Sequence, residues 1–351
     1  MRVWGAKTLD SRNQLALSIV VVNWHAAKYL QRCLESVYEN SHDLDFDVVV
    51  IDNGSYDGCC EMLRREFPDV WFIQSDVNLG FSGANNRAFA ESRGRNILFL
   101  NPDTEMGEGA VNQMLAALEG SSDAGIVGPR LLNSDGSIQT SCIQRFPSVL
   151  NQLFDATVLR RAFPGWRIWG MQPLISRGND AIAVEAVSGA CLLIRREVFE
   201  ACGMFSTAYF MYAEDIDLCY MAHRLGWKSY FVPSATVIHY GGRSSGESER
   251  NNFAAVMMRE SLARFMRRHH GQLYSCMYRF AMGIAAVMRV SALGSTLVLT
   301  FGRFHRDTLQ RALYKWTSIF RWAVGVERWP NHLSTANEQR HAQQAVGEAS
   351  R

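Results

Sequence analysis

An acidic side chain directly follows an apolar run near residue 100. The run "NILFL" at 96–100 stops at Asn101, Pro102 and Asp103. Asn, Pro and Asp commonly end strands in turns, so an ordinary turn explains this segment. A carboxylate is also a preferred ligand of Mg²⁺ and Mn²⁺, which bind hard oxygen atoms. The segment therefore predicts either a turn or a ligand of a divalent cation.

Three acidic residues crowd into one short segment farther along the chain. Glu214, Asp215 and Asp217 all lie within "YAEDIDLC" at 212–219. Like charges this close raise one another's pKa unless a positive charge opposes them, as a cation in a cleft would. Acidic residues are also common at helix N-termini, where they complement the helix dipole. On a helix, Asp217 would be turned roughly 200° from Asp215.

A histidine and an arginine occur in the glycine-rich segment "PSATVIHYGGRSSG" at 233–246. A single histidine after an apolar run is more often structural than a ligand, and both interpretations stay open for His239. Arg243 has a guanidinium group that matches phosphate oxygens geometrically, so this loop could close over a phosphate. Trp227, just upstream, is explained either by core packing or by stacking on a ligand.

The elements that would position these residues alternate between strand and helix. Continuously apolar, β-branched runs predict buried strands, and periodic apolar positions predict helices. Such alternation predicts βαβ units and a parallel sheet covered by helices. Ligands of such sheets bind beyond the carboxyl ends of the strands, where this chain has Asn23, Asp52, Asn78 and Asp103. The predicted strands are 17–23, 47–55, 70–76 and 95–103, and the predicted helices are 26–41, 57–68 and 82–93.

Composition and missing motifs narrow the classes of function. The 351 residues carry a net charge of +2, and no nucleic-acid partner is expected. No G-x-G-x-x-G follows the first strand and no G-x-x-x-x-G-K-[ST] occurs, which argues against a Rossmann dehydrogenase and a P-loop NTPase. The eight cysteines form no Cys-x-x-Cys pair, and no apolar signal-peptide run follows Met1. Reduced thiols in the cytoplasm are therefore expected.

Several motifs resemble those of one known family, in the same order. They are "SIVVVNW" at 18–24, "VVVIDNGSYDG" at 48–58, "NLGFSGANNRAF" at 78–89, "ILFLNPDTE" at 97–105 and a long segment at 187–245 that begins "VSGACLLIRREVF". Together they resemble the inverting glycosyltransferases of family 2, and the bacterial rhamnosyltransferase-like members above all. The resemblance covers 17–245, with a donor half at 17–105 and an acceptor half at 106–245. Residues 1–16, which precede it, are predicted to form a leader.

This resemblance implies a fold and a donor site. The fold would be GT-A, an α/β, Rossmann-like architecture with a mixed, mainly parallel sheet flanked by helices. Asp103 would hold Mg²⁺ or Mn²⁺ on the diphosphate, with His239 completing the metal site or contacting the diphosphate. Asp52 would accept a hydrogen bond from the imide of uracil or thymine, so the donor would be a dTDP- or UDP-sugar carrying rhamnose or another hexose. The other donor contacts would be Val22, Asn23, Asn78, Gly80, Asn86, Asn101 and Arg243.

The resemblance also implies a reaction. Asp215 would be the general base that takes the proton from an acceptor hydroxyl while this oxygen attacks the anomeric carbon from the face opposite the leaving group. This single displacement inverts the anomeric centre. Glu214 would orient Asp215 or the acceptor, and Gly189 and Trp227 would contact the acceptor.

Three positions depart from the family pattern. Asn101 replaces the first aspartate of the family's Asp-x-Asp motif, which implies a modest metal affinity. Asn85 stands where many relatives have Arg, so a phosphate contact is not expected there. Ser206 and Thr207 replace an acidic pair, and the acceptor preference is expected to differ accordingly.

The last third of the chain is basic and helical. Apolar and aromatic residues with Arg on the other face, over 246–330, predict an amphipathic helical extension lying on the membrane surface. Packing against the catalytic domain or in a homodimer is the alternative. The uninterrupted apolar piece at 290–302 is shorter than the roughly 20 residues that a span needs. The polar residues 331–351 are expected to be disordered. The helical patterns occur at 257–271, 277–302 and 313–329.

A lipid-linked or glycan acceptor would explain a basic, apolar extension. The enzyme would then be cytoplasmic, peripheral to the inner face of the cell membrane, and would act in the synthesis of a bacterial surface polysaccharide. A nucleotidyltransferase is a competing interpretation, although "VVVNWHAAKY" at 20–29 lacks the Gly-rich, basic loop that a triphosphate needs. A non-catalytic carbohydrate-binding or scaffold protein is the third.

Overall fold

The computed structural model describes residues 2–4, 15–154, 163, 166, 169–170, 178–241, 252–299 and 306–327. Arg243, the tail at 331–351 and most of the predicted leader lie outside these residues. The chain forms two compact units. The first unit comprises Met1–Phe146, Met171–Ser206 and Glu214–Glu247. The second comprises Pro147–Gly170, Thr207–Ala213 and Ser248–Arg351, so two segments from within the predicted acceptor half group with the C-terminal helices.

The first half of the first unit is a parallel sheet with helical crossovers. Strands β4, β3, β2 and β5 lie side by side in this order and run parallel, and β1 pairs antiparallel with β4. Each strand is a continuous apolar run, as expected of a sheet covered on both faces. The elements are β1 (Arg2–Trp4), β2 (Leu17–Asn23), α1 (Ala27–Asn40), β3 (Phe46–Asp52), α2 (Cys59–Glu66), β4 (Trp71–Gln74), α3 (Gly80–Phe89) and β5 (Asn96–Leu100).

The second half of this unit makes the sheet mixed. Strand β11 lies antiparallel between β5 and β7, β12 runs parallel to β7, and β6 and β9 pair antiparallel with β12. Ten strands of the described chain join in this sheet, and β8 and β10 form a separate pair. The elements are β6 (Thr104–Met106), α4 (Ala110–Gly120), β7 (Ala124–Leu132), β8 (Ile143–Gln144), α5 (Val149–Leu153, in the second unit), β9 (Ile182–Val184), β10 (Ala186–Val187), β11 (Cys191–Arg195), α6 (Arg196–Ala201), α7 (Glu214–Arg224) and β12 (Lys228–His239).

The core of the first unit has two layers, one on each face of the sheet. Successive side chains of a strand point to opposite faces, so Ile19 and Val21 of β2 join one apolar cluster and Val20 joins the other. Helices α1, α2 and α4 contribute to the first cluster, and α3, α6 and α7 to the second. Each fully buried side chain of this kind contributes about 1.5–3 kcal/mol. These layers fix the strands and thereby the loops at their carboxyl ends.

The second unit is helical and contains a buried polar network. Helix α9 (Gln272–Leu299) packs against α5, α8 (Phe253–His270) and α10 (Arg306–Ala323). The buried Glu260 carboxylate accepts hydrogen bonds from Trp322 Nε1 (2.9 Å) and Arg264 Nε (3.2 Å), and Arg279 Nη1 lies 3.4 Å from it. A buried charge needs such partners, so this network joins the three longest helices of the unit.

Helix α9 also carries an exposed apolar face. Phe280, Met288 and Leu299 are 72%, 67% and 78% exposed. The helix continues through Arg279 and Arg289, whose guanidinium groups lie over Trp322 and Trp316 of α10. At about 1.5 Å per residue, 28 residues extend roughly 42 Å. Among the described helices, α9 alone has the length and apolar composition of a membrane span, which is weak evidence of one.

Candidate functional site

The polar residues predicted at the strand ends do meet at one edge of the sheet. Asn23 pairs with Asp52 in the β2–β3 ladder, and Asp52 pairs with Gln74 in the β3–β4 ladder. Val22, half-buried, precedes Asn23 at the same edge. Asp103 follows the neighbouring strand β5 by three residues. The predicted convergence follows directly from the parallel register.

Asp52 is buried, and its carboxylate is fully hydrogen-bonded inside the protein. It accepts from Asn23 Nδ2 (3.1 Å), Ser55 Oγ, Tyr56 N (2.9 Å) and Gln74 Nε2 (2.7 Å). With no exposed surface, Asp52 could accept from a nucleobase only by releasing one of these donors. Asp52 thus holds the loop after β3, and its predicted contact with the nucleobase stays a prediction that requires one of these donors to be displaced.

A second carboxylate stabilises the same loop. Asp57 accepts hydrogen bonds from Asn23 Nδ2 (3.1 and 3.2 Å), Ala27 N (2.9 Å) at the start of α1, and Cys59 N (3.2 Å) at the start of α2. Burial raises the pKa of Asp57, but these donors outweigh it, and the pKa lies below its usual range. The carboxylate is therefore ionised and caps two helix N-termini.

This loop brings together three groups that are close enough to share an ion. Ligand atoms of Asp52, Asp57 and Cys59 lie within 4.8 Å of one another. Both carboxylates, however, already accept hydrogen bonds from Asn23 Nδ2, and burial raises the pKa of the Cys59 thiol, which disfavours the thiolate that a metal needs. These two carboxylates and the thiol fit a hydrogen-bonded loop better than a metal site.

The loop before α3 is held in the same way. Asn53 Nδ2 donates to Asn78 Oδ1 (3.1 Å) and Gly80 O (3.3 Å), and Asn78 Oδ1 also accepts from Gly80 N (2.8 Å). Gly80 has a φ of +70°, which glycine adopts without strain. A Cβ at Gly54, also at positive φ, would lie 2.9 Å from the backbone of Val77. The two loops therefore pack backbone to backbone.

Asn86 and Asn101, both predicted to contact the sugar nucleotide, have different surroundings. Asn86 donates to Phe205 O (2.8 Å) and accepts from Phe205 N (3.1 Å), so both ends of its amide hold the segment after α6. Asn86 therefore has this structural role, and its contact with the sugar-nucleotide donor stays a prediction. The half-buried side-chain amide of Asn101, in contrast, has no hydrogen-bond partner among the described residues, and it faces the same sheet edge as Asp103. Asn101 thus remains available to a ligand.

Asp103 is a buried carboxylate without a donor. It is 1% exposed, and neither oxygen accepts a hydrogen bond from a described residue. His239 Nε2 lies 3.5 Å from Asp103 Oδ1, because His239 pairs with Thr104 in the β12–β6 ladder. Leaving a carboxylate buried and unpaired costs several kcal/mol. Two atoms 3.5 Å apart can both contact one ion at the roughly 2.1 Å typical of Mg²⁺–oxygen bonds. These residues therefore fit a divalent cation.

Asp215 lies at the start of α7, and its carboxylate accepts hydrogen bonds from backbone N–H groups of the predicted acceptor half. Its Oδ2 accepts from Gly189 N (2.8 Å) and, more weakly, from Gln144 Nε2 (3.4 Å), and its Oδ1 accepts from Ile216 N (2.8 Å). A Cβ at Gly189 would lie 3.0 Å from Asp215 Cβ, so glycine allows this close approach. Burial raises the pKa of Asp215, and the three donors counter this only in part. A carboxylate with a raised pKa suits a general base.

Two hydrogen bonds connect the surroundings of Asp215 and Asp103. Gly189 donates to Asp215, the next residue Ala190 accepts from Asn101 N (2.9 Å), and Asn101 lies two positions before Asp103. The path from the Asp215 carboxylate through these two hydrogen bonds and the intervening backbone to Asp103 is shorter than roughly 20 Å. The carboxylates at 103 and 215, far apart in the sequence, therefore lie at the same edge of the sheet.

Trp227 lies at the opposite end of the sheet. It precedes β12, whereas His239 ends that strand, and twelve strand residues extend roughly 35–40 Å. Trp227 packs against the core cluster of α6 and α7, and a Cβ at Gly125 would lie 2.8 Å from its Cβ. We correct the predicted acceptor contact of Trp227 to core packing.

Glu214 carries an unfavourable charge, which gives a testable prediction. It is 7% exposed, Oε2 has no described donor, and burial, followed by the charges of Asp215 and Asp217, raises its pKa well above the usual range. Since the folded-state pKa exceeds the unfolded value, folding is favoured at low pH and this contribution is lost as pH rises. We expect Glu214→Gln to increase the unfolding free energy by about 1–3 kcal/mol at pH 8, and by less at pH 5.

Urea unfolding at both pH values measures this effect. The matched control is Glu197→Gln, an exposed glutamate at the start of α6, and we expect it to change stability by less than about 0.5 kcal/mol. A stability gain in Glu214→Gln that is the same at pH 5 and pH 8 would contradict the electrostatic explanation.

Comparisons with known proteins agree with the motifs. Residues 14–258 match the family described as "Glycosyltransferase like family 2". An N-acetylglucosaminyl-diphospho-decaprenol L-rhamnosyltransferase of Mycobacterium tuberculosis is 31% identical over 252 residues, which are 68% of this chain and 80% of that protein. The low-salt glycan biosynthesis hexosyltransferase Agl10 of Haloferax volcanii is 28% identical over 212 residues, 59% of this chain and 62% of that protein.

A solved structure supports the fold. The mannosyltransferase PcManGT of Pyrobaculum calidifontis, in complex with GDP-Man and Mn²⁺, superposes with a TM-score of 0.57 at 17% identity, over 90% of this chain and 88% of that one. At this identity the similarity concerns the fold alone, and it confirms the predicted GT-A architecture.

Proposed function

The chain belongs to glycosyltransferase family 2, and from this membership we propose that it transfers a hexose from a nucleotide sugar to a hydroxyl of a cell-surface glycan precursor, with inversion. The observation that carries this proposal is the pair of carboxylates at 103 and 215. The hydrogen bond from Gly189 N to the Asp215 carboxylate and the backbone hydrogen bond from Asn101 N to Ala190 O bring them to one edge of the sheet. Asp103 suits a metal-bound diphosphate, and Asp215 suits an acceptor hydroxyl.

Asp215 is the proposed general base. The hydroxyl proton passes to its carboxylate while the hydroxyl oxygen forms a bond to the anomeric carbon, and the bond from this carbon to the diphosphate oxygen breaks. Gly189 N–H and Gln144 hold Oδ2, so the carboxylate has a fixed direction. Glu214, adjacent and buried, orients the acceptor or Asp215.

Asp103 and His239 are the proposed ligands of Mg²⁺ or Mn²⁺. Such an ion neutralises charge on the diphosphate that leaves. Asn101, whose side-chain amide has no partner among the described residues, would contact the ribose or a bound water. Asp103 alone brings a negative charge to this ligand set, so we expect a modest metal affinity.

The donor pocket is proposed at the carboxyl ends of β2 and β3. Val22 and the backbone of Asn23 flank the base, Asn78 and Gly80 pass near the ribose, and Asp52 keeps this loop in place. The family resemblance implies a dTDP- or UDP-hexose, and rhamnose is the proposed sugar because the relative from M. tuberculosis is an L-rhamnosyltransferase. That relative's name also supports a lipid-linked acceptor.

A donor screen tests the proposal. The purified chain is incubated with dTDP-rhamnose, UDP-hexoses, GDP-mannose and nucleoside triphosphates, with a polyprenyl-diphosphate sugar as acceptor and with or without EDTA. We expect release of dTDP or UDP that depends on acceptor and is lost with EDTA. Consumption of a triphosphate would instead indicate a nucleotidyltransferase, and binding without turnover would indicate a non-catalytic protein.

The helical unit is proposed to bind the cytoplasmic face of the membrane. Its described helical residues, 252–299 and 306–327, contain ten Lys and Arg against three Asp and Glu. An apolar groove of about 350 Å³ lies between α9 and α10. Its lining includes Phe280, Ile284, Met288, Phe320 and Val324. Positive charge beside exposed apolar side chains complements anionic lipid.

Removal of two exposed apolar side chains tests this surface. We expect the double variant Phe280→Ser and Met288→Ser to bind phosphatidylglycerol vesicles at least about tenfold more weakly, since each apolar side chain buried in lipid contributes about 1.5–3 kcal/mol. Co-sedimentation at low and high salt measures this binding. The control is Leu225→Ser, an apolar residue of the first unit that is 49% exposed.

Two outcomes would contradict the membrane proposal. One is equal vesicle binding by the double variant and the parent. The other is loss of a dimer in the double variant without any vesicle binding by the parent, which would make the surface a subunit interface.

A further inference from the structure

Gln139 contacts His239, and no motif of the sequence points to it. Gln139 Nε2 donates to the backbone oxygen of His239 (2.6 Å), and Gln139 Oε1 lies 2.9 Å from His239 Nδ1. Both ends of the amide therefore bind one residue. Since a carbonyl oxygen can only accept, the first bond fixes which end of the amide is nitrogen and which is oxygen.

The second contact then determines where the imidazole carries its proton. An amide oxygen also can only accept, so Nδ1 must carry the hydrogen that it shares with Oε1. In the neutral ring, Nε2 is left with a lone pair, and Nε2 is the atom that lies 3.5 Å from Asp103 Oδ1. A lone pair and a carboxylate oxygen facing one another repel, unless a cation or proton lies between them.

The backbone around Gln139 makes this contact rigid. Gln139 N donates to Leu131 O (2.9 Å), and Gln139 O accepts from Cys142 N (3.2 Å) and Cys142 Sγ (2.8 Å). The turn that precedes it is closed by Asn133 N to Ser137 O (2.7 Å). Gln139 is thereby anchored to the end of β7, beside the strand that His239 ends.

We propose that Gln139 is a positioning residue that locks His239 in the Nδ1–H tautomer, so that Nε2 and Asp103 together form a divalent-cation site. This inference rests on the metal ligands of the proposed function. A partner on the other ring nitrogen orients a metal-binding histidine and sets its tautomer, and its loss typically costs 10–100-fold in metal affinity. The sugar nucleotide plays no part in this effect.

Mn²⁺ binding without any sugar nucleotide tests the proposal. Electron paramagnetic resonance of free Mn²⁺ gives the dissociation constant. We expect Gln139→Leu to weaken binding about 10–100-fold. Gln139→Glu keeps an oxygen for Nδ1–H but loses the donor to His239 O, so we expect it to bind more tightly than Gln139→Leu. In a His239→Ala background, Gln139→Leu should change the affinity by less than about twofold, because the residue it positions is gone.

Nitrogen NMR of the imidazole, without metal, provides the second measurement. We expect the Nδ1–H tautomer for His239 in the parent and a shift towards Nε2–H in Gln139→Leu. An Nε2–H tautomer in the parent would overturn the proposal, as would equal Mn²⁺ affinity of Gln139→Leu and parent, or an equal loss in both His239 backgrounds. Because no turnover is measured, failure of the transferase proposal in the donor screen would leave these results unaffected.

Discussion

Replacing Asp215 by asparagine is expected to lower kcat about 10³-fold, with little change in the KM for the sugar nucleotide. The amide has the size of the carboxylate and still offers an oxygen to Gly189 N–H, whereas its NH2 group replaces the oxygen that accepts from Ile216 N. It cannot take the acceptor proton. The loss corresponds to about 4 kcal/mol of transition-state stabilisation. Initial rates of nucleoside diphosphate release, at several acceptor concentrations, measure both constants.

The pH profile adds a second measurement for the same variant. In the parent, activity should fall as pH falls through the pKa of Asp215, which burial raises, because only the ionised carboxylate is a base. Asp215→Asn should lack this acid limb in its residual rate. The control is Asp217→Asn, which removes the same charge on the same helix but from the side turned roughly 200° away. If Asp215→Asn keeps more than about a tenth of the parent kcat, Asp215 is not the base.

The sequence predicts the local elements of the fold well because their patterns are local. The run at 17–23 coincides with β2, and its neighbouring strands differ from prediction mainly at their ends. The strand predicted at 95–103 ends at Leu100, since the peptide nitrogen of Pro102 cannot donate. The antiparallel insertion of β11 between β5 and β7 was beyond prediction from periodicity, because it pairs residues about 65–100 positions apart.

The site is predicted by residue type, but the role of each residue depends on its partners. Asp103 and Asp215 stand out because carboxylates in apolar surroundings are uncommon. Asp52 looks the same in sequence, yet four internal donors occupy it. Gln139 and Gln144 carry neutral amides in polar segments, where nothing distinguishes them from surface residues. Their importance is visible only in contacts that cross 100 and 71 positions.

Asp103→Asn is expected to remove the effect of Mn²⁺ on stability and to lower kcat at least about 10²-fold. In the metal-free parent, the Asp103 carboxylate is buried and accepts no hydrogen bond from any residue that the structure describes, so its charge opposes folding. Asparagine removes this charge, and its amide can donate to His239 Nε2, so metal-free stability should rise by about 1–3 kcal/mol. Saturating Mn²⁺, at about 100 times Kd, should stabilise the parent by about 2.7 kcal/mol and the variant by much less.

Thermal unfolding with and without Mn²⁺ separates a ligand from a residue that merely supports the fold. If Asp103 merely supported the fold, its replacement would lower stability both with and without Mn²⁺. If Asp103 is a buried metal ligand, its replacement raises the metal-free stability and removes the stabilisation by Mn²⁺. Glu105→Gln is the control, because Glu105 lies on the adjacent strand and bonds Tyr240 Oη (2.8 Å). It should keep the Mn²⁺ effect. If Mn²⁺ stabilises Asp103→Asn as much as the parent, the ion binds elsewhere, and the carboxylate at the end of β5 must be explained by the turn alone.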